Sequence, residues 1–313
     1  MSDLIERLND GEIIIADGAA LTALTERIPH LKNGTAQFNE THYEDLRQVH
    51  LEYREAGSRI SIANTLRGSR KGLEAVLPCD HIPSFVQRIN EAGVDAARYD
   101  GLPVLGAVTG EYGGQVIARE EPEAQSLLSI GFVAASEACR IFQEQARYLI
   151  EAGVDALYGM TFLSAQEALA FVSAAKRVKE DIPLIVAFSF DNALVCGEET
   201  DYFTSYGTSP NEAVANFKGT ASVIGANCVN AVHAPGLVRE FRKYTDMPLI
   251  MQPNAGLPDH MGRYTMGPEE FAAHMVDAIN QNGSGRGLLL GGCCGTTPEY
   301  IRALNEKKAE LGL

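Results

Sequence analysis

Eight short apolar runs recur along the chain, and most are followed by a longer amphipathic stretch with helical spacing. They are Glu12–Ala16, Ser58–Ala63, Pro103–Val108, Val154–Gly159, Pro183–Phe188, Ala221–Asn227, Pro248–Gln252 and Arg286–Gly291. A strand joined to the next through a helix pairs with it in parallel, because the crossover carries the chain back to the same end of the sheet. Eight such units in 313 residues predict an α/β fold of the (β/α)8 TIM-barrel type, as a single domain over residues 1–313. Several helices read directly from side-chain spacing. Tyr43–Ala56 puts Leu46, Val49, His50 and Tyr53 on one face, and Phe132–Ala152 does the same with Ile141, Ala146 and Leu149. Thr297-Pro298-Glu299 supplies an N-cap, a first-turn proline and an acidic first turn for the last helix.

Composition removes several classes of function. With 41 Asp+Glu against 26 Lys+Arg the net charge is −15, which argues against nucleic acid as a partner. No apolar run approaches the roughly 18 residues of a membrane span, so no membrane partner is expected. The opening MSDLIERLNDGEIII lacks a basic start, a sustained apolar middle and a cleavage site, and predicts a cytoplasmic location. Six cysteines in so long a chain are too few for a disulfide scaffold, so their positions matter more than their number.

In a barrel of this kind the reacting groups stand at the C-terminal ends of the strands. Those positions hold Asp17, Asn64, Thr109, Met160, Ser189, Cys228, Asn254 and the pair Cys293-Cys294. No lysine is among them, which counts against a Schiff-base aldolase. Strands six and eight would bring Cys228, Cys293 and Cys294 to one rim, with Asn254 on the strand between. Converging thiolates suit tetrahedral zinc, and three protein donors leave one position open for chemistry. A zinc already rich in thiolate charge acidifies water poorly but leaves a bound substrate thiolate nucleophilic, which favours thiol alkylation over hydrolysis. Spacing alone keeps two other readings open. Vicinal cysteines between Gly291-Gly292 and Gly295 also suit a tight packed turn, or a strained disulfide in a non-catalytic redox or zinc-binding barrel.

Other candidates divide in the same way. Cys139 reads as helix packing, whereas Cys79 and Cys196 lie in connections without a partner. His233 and His260 follow strands six and seven and belong either to the mouth or to polar loops. Gly283, Gly285 and Gly287 precede the last strand and form a turn at the opposite end. The long connections Gly110–Gly131 and Asp191–Ser209 fall on the catalytic side, either covering a substrate or partner site or standing as surface insertions.

Gly225-Ala226-Asn227-Cys228, Gln252-Pro253-Asn254-Ala255-Gly256-Leu257-Pro258 and Gly291-Gly292-Cys293-Cys294-Gly295-Thr296-Thr297-Pro298 together resemble the homocysteine S-methyltransferase family. Asp17-Gly18-Ala19 is similar to that family's Asp-Gly-Gly or Asp-Gly-Ala opening, and Ala63-Asn64-Thr65 to its Thr-Asn-Thr. The likeness covers nearly the whole chain. It implies a zinc ion (Zn2+) held by Cys228, Cys293 and Cys294, with Asn254 as an exchangeable ligand, and methyl transfer from an activated donor to the thiol of homocysteine. Asp17, Gly18, Thr109, Met160 and Asn254 are then the substrate-binding positions. The Pro-Asn-Ala-Gly-Leu-Pro segment is most similar to the homocysteine domain of cobalamin-dependent methionine synthase and to corrinoid-linked methyltransferases. The donor is therefore expected to be S-methylmethionine, a betaine or a separate methyl-corrinoid protein.

One departure bears on the acceptor. Where the family often has a Glu that helps hold the ammonium of homocysteine, Leu157-Tyr158-Gly159-Met160-Thr161 places Met160. A thioether in that position forgoes a charge-assisted hydrogen bond of about 1.5–3 kcal/mol. Either Glu111 supplies a replacement carboxylate or the pocket takes a thiol without an amino group. In the second case the chain would serve as a corrinoid-dependent methyltransferase or demethylase component acting on a different thiol. Thr109-Gly110-Glu111-Tyr112 also departs from the family's Gly-Pro pattern.

Overall fold

The computed structural model describes residues 3–28, 31, 36–74, 76–77, 82–99, 101–117, 131–196 and 199–312. Each of the eight expected runs contains a strand: β1 Ile13–Ile15, β2 Ser61–Ala63, β3 Val104–Thr109, β4 Ala156–Phe162, β5 Leu184–Phe188, β6 Val223–Asn230, β7 Leu249–Asn254 and β8 Leu288–Leu290. All ladders of this sheet are parallel, and its order β1-β8-β7-β6-β5-β4-β3-β2 leaves β1 and β2 as its two ends. Those ends are bridged by two backbone hydrogen bonds, Arg59 N–H to the Ile15 carbonyl (2.7 Å) and Asp17 N–H to the Ile60 carbonyl (3.2 Å). The sheet is thus curled, with its helices packed on the outer face.

Eleven α-helices are found among the described residues: α1 Asp3–Asn9, α2 Ala20–Arg27, α3 Tyr43–Glu55, α4 Arg70–Glu74, α5 Ile82–Ala97, α6 Ala135–Glu151, α7 Ala165–Val178, α8 Pro210–Phe217, α9 Ala234–Arg242, α10 Pro268–Asn282 and α11 Pro298–Glu310. The strand period of two sorts each strand between two cores. Ile14, Leu105, Tyr158, Ile185, Ile250 and Leu289 point inward, whereas Val104, Leu157, Val186, Ile224 and Leu290 meet the helices. Leu4, Ile5 and Leu8 of α1 join the inward group, closing the end of the sheet opposite the strands' C-termini. Outside, Phe142, Phe162, Phe171, Phe188, Phe190, Phe217 and Phe241 form a continuous run of ring contacts with centroids 5.7–6.3 Å apart. That aromatic wall backs β4 to β6, where the ladders become irregular.

Several boundaries depart from the sequence reading. β4 and β6 each run three residues beyond the expected end, because register shifts between Gly159 and Phe162 and between Asn227 and Asn230 lengthen them. α6 begins at Ala135 rather than Phe132, since Val133–Ala134 pairs in parallel with Val116–Ile117. Thr297 occupies the N-cap of α11, but its side chain makes no capping bond. The connection after β5 carries an antiparallel hairpin, Asn192–Cys196 with Glu199–Phe203. Of the connection after β3, residues 118–130 lie outside the described residues, as does Cys79. No helix among the described residues is long and apolar enough to cross a membrane.

Candidate metal centre and cavity

The thiol site begins with two unusual backbone positions. At the shifts in β6 and β4, Cys228 and Thr161 take φ values of 57° and 61°, in the left-handed region where a residue with a Cβ costs about 1–3 kcal/mol. Asn227, fully buried, ties the two shifts together. Its Oδ1 accepts the Thr161 N–H and its Nδ2 donates to Thr161 Oγ1, both at 2.7 Å. Ser189 Oγ donates to the Cys228 carbonyl at 3.3 Å. The bulge therefore turns Cys228 toward β8 at a fixed angle.

The turn after β8 is pinned from both sides. Cys293 N–H donates to the Pro253 carbonyl (2.8 Å) and Gly292 N–H to the Asp17 carbonyl (3.2 Å). Cys294 N–H donates to Asn254 Oδ1 at 3.0 Å, and the Thr296 hydroxyl donates to the Cys293 carbonyl at 2.7 Å. Gly295 is required here: its φ is 81°, and a Cβ would lie 2.3 Å from the Tyr264 ring. The Tyr264 side chain thus packs against the backbone, and its hydroxyl hydrogen-bonds the Cys294 sulfur.

Together these elements bring three free thiols to one point. The Sγ atoms of Cys228, Cys293 and Cys294 all lie within 4.8 Å of one another, with Cys228 and Cys294 at 3.8 Å. Three thiols so close and so buried cannot all ionise. The negative charge settles on Cys294, pulled down by hydrogen bonds from Cys228, Cys293 and Tyr264. Cys293 is pushed up by its hydrogen bonds to Cys228 and Cys294 and by burial, and Cys228 rises as well. A divalent cation reverses this competition by favouring every thiolate at once.

A cavity of about 240 Å³ opens beside the thiols, with Cys293, Cys294, Gly18, Thr109 and Met160 in its wall. Met160 tops the inward column Ala156-Tyr158-Met160 on β4 and is 6% exposed. Asp17 lies behind that wall, fully buried. Its Oδ2 accepts the Ile62 N–H at 2.9 Å and stands 3.5 Å from His50 Nδ1, whereas its Oδ1 has no partner. Burial raises the Asp17 pKa. Asn254 is also outside the wall, its side chain hydrogen-bonded to Cys228 and to the Cys294 amide.

Glu111 does not line the cavity; its carboxylate accepts the Ser69 hydroxyl at 2.7 Å. His233 packs edge-on against Tyr202, His260 is exposed, and neither is in the cavity wall. Cys139 is buried between α6 and α7, its thiol donating to the Ala170 carbonyl. Gly285 stands against Gly11 in the turns before β8 and β1, at the opposite end from the thiols. Three residues of the site escaped the sequence reading. Asn227 had a signal, since it precedes the bulged cysteine directly. Tyr264 and Arg67 sit in loops after β7 and β2 and carried none.

Three thiols that could hold a metal ion thus converge at the C-terminal rim of a curled, parallel α/β sheet. The profile of the family described as Homocysteine S-methyltransferase matches residues 14–308, and the chain belongs to that family. Betaine--homocysteine S-methyltransferase 1 of Bos taurus is 28% identical over 98% of this chain and 74% of its own length. Homocysteine S-methyltransferase 1 of Zea mays is 26% identical over 83% of each. The fold is similar to that of the homocysteine methyltransferase MmuM from Escherichia coli. Its oxidized form has TM-score 0.71 and 20% identity, covering 97% of this chain and 98% of that one. Its metallated form gives the same TM-score and identity over 96% and 98%.

Proposed function

We propose that the chain is a zinc-dependent S-methyltransferase that moves a methyl group from an activated donor to a substrate thiol, homocysteine being the favoured acceptor. The sheet closes as a single-domain (β/α)8 barrel, and Cys228, Cys293 and Cys294 hold the ion. The convergence of three free sulfurs within 4.8 Å carries this reading. The donor set fits zinc, because soft thiolates select it and three of them leave one position for a ligand. When bound, zinc keeps an acceptor thiol ionised at neutral pH while leaving the sulfur nucleophilic.

The chain's own residues do the remaining work. Asn227 and Ser189 fix the Cys228 bulge, and the pinned turn after β8 fixes the other two sulfurs, so the three thiols are held together ahead of the acceptor. The cavity beside them orients the acceptor and keeps water from its sulfur. In the transfer itself the acceptor sulfur forms a bond to the methyl carbon. The bond from that carbon to the donor's onium centre or corrin metal breaks, its electron pair leaves with the donor, and the thiol proton passes to solvent. Among the described residues the cavity wall holds no lysine, and the transfer needs no covalent enzyme intermediate.

The test is zinc content of anaerobically purified protein, followed on the same sample by methylation of homocysteine with S-methylmethionine, betaine and methylcobalamin. One zinc per chain and turnover with one donor is the expected result. Zinc-free protein with Cys293 and Cys294 oxidised would sink the reading.

A further inference from the structure

The cavity that reaches Cys293 and Cys294 has a distinctive charge pattern. Among the described residues its wall holds one cationic side chain, Arg67, and no carboxylate. The rest is largely apolar, including Leu21, Ile62, Leu66 and Met160. Arg67 is placed there at a cost. It is the third residue of the tight turn Thr65–Gly68, closed by a 2.9 Å bond from Gly68 N–H to the Thr65 carbonyl, and its φ is 54°. Glycine or asparagine is the ordinary choice at such a position. Glu111 faces Arg67 closely enough to feel its charge, but its carboxylate is bonded to Ser69 and stands outside the wall. Arg67 makes no ion pair among the described residues.

We infer that Arg67 is a specificity-determining residue, and that the cavity takes a small thiol whose far end carries an anionic group such as a carboxylate or sulfonate, with no requirement for an amino group. The inference rests on the thiol-transferase reading above. A guanidinium offers a planar fork of donors to a carboxylate or sulfonate, and the apolar wall between it and the sulfurs suits a short hydrocarbon linker. Asp17, the acidic group behind the wall at Gly18, is buried and already engaged through one oxygen by Ile62.

The experiment is calorimetric binding of four thiols to the zinc-loaded full-length protein: 3-mercaptopropionate, 2-mercaptoethanol, homocysteine and cysteamine. The anionic thiol is expected to bind at least about tenfold more tightly than cysteamine, as a charge-assisted bidentate contact implies. Arg67→Gly removes the guanidinium while relieving the positive-φ strain, so that variant should unfold at no lower temperature, keep its zinc and lose the preference. Arg67→Lys should keep part of it. Equal binding of anionic and cationic thiols by the wild type, or an unchanged preference in Arg67→Gly, would overturn the assignment while leaving the thiol-transferase reading intact. Failure of the zinc-loaded protein to bind any of the four would overturn both.

Discussion

The two sides of the cavity mouth are built differently. On the β6–β8 side, several groups near the sulfurs are tied together: Asn227 bridges two bulges, Asn254 joins Cys228 to the Cys294 amide, and Gly295 lies under the Tyr264 ring. On the β2–β4 side the wall is Ile62, Ala63, Asn64, Leu66, Thr109 and Met160, with one exposed arginine on a strained turn. The first arrangement holds three sulfurs within 4.8 Å of one another, as a metal site would demand. The second presents shape and charge, which can change from relative to relative without touching the sulfurs. On the proposed reading, reaction type belongs to one side of the rim and choice of acceptor to the other.

The largest test of that division is Cys228→Ser. Zinc should fall from about one per chain to none and methyl transfer to background, while far-ultraviolet circular dichroism stays unchanged, because the bulge is held by Asn227 and Ser189 rather than by the thiol. Retained zinc would mean that the two sides are not separable as described. Next comes Asn227→Ala, which strands the half-buried Thr161 amide and removes both bonds of the bridge. Leaving such groups unpaired costs about 2–4 kcal/mol in total, and loss of an outer partner weakens metal binding about 10–100-fold. Urea unfolding and competition with a chromophoric chelator measure the two effects. A stability loss without a change in zinc affinity would show that the bridge serves the fold alone.

The sequence made one side far more legible than the other. All eight strands were readable because β-rich runs alternate with helical spacing, and the three cysteines stood out because strands six and eight are close in any such barrel. The bulges at Thr161 and Cys228 were not readable, since neither residue type signals a positive φ. On the first strand of the hairpin pairing Asn192–Cys196 with Glu199–Phe203, residues 192–195 are all exposed, Leu194 and Val195 among them, so it lacks the alternation that a buried face imposes. α1 gives little signal, because its 7 residues show only one apolar stripe, Leu4, Ile5 and Leu8. Arg67 was hidden by the same rule that makes it informative: a turn position that ordinarily selects glycine gives no hint that an arginine there faces a cavity.

On the acceptor side, Glu111 offers a smaller effect with a definite sign. Burial pushes its carboxyl up to about 7 from the ordinary 4.5, repulsion from Glu167 adds to this, and Ser69, Arg67 and Lys71 oppose it. The folded state thus holds this proton more tightly than the unfolded chain does. The contribution is fully present below pH about 4.5 and is lost as pH rises through about 7, leaving the folded protein carrying the cost of the buried charge. Glu111→Gln keeps an acceptor for the Ser69 hydroxyl and removes the titration. It should raise stability by about 2 kcal/mol at pH 8 and by little or nothing at pH 4.5. Chemical denaturation at the two pH values reads the difference directly. Equal effects at both would show that the charge is not buried.

The smallest effect returns to the thiols. Tyr264 packs against the Gly295 backbone and donates a hydrogen bond to the Cys294 sulfur, one of the contacts that hold that thiol low. Tyr264→Phe preserves the ring and removes only the donor. A donor to an anion favours the anion, so its loss raises the Cys294 pKa. A net hydrogen bond of about 1 kcal/mol corresponds to a little under one pH unit. In the metal-free protein, the pH midpoint for alkylation of Cys294 by iodoacetamide, read by peptide mass spectrometry, should move upward by about that amount. Zinc content at saturating metal should stay the same, because all three ligands remain. The Arg67 turn lies across the cavity, so Arg67→Gly should leave the alkylation midpoint where it is. A midpoint that moved in Arg67→Gly as far as in Tyr264→Phe would mean that the guanidinium acts on the sulfurs, and the separation of reaction from recognition would fail.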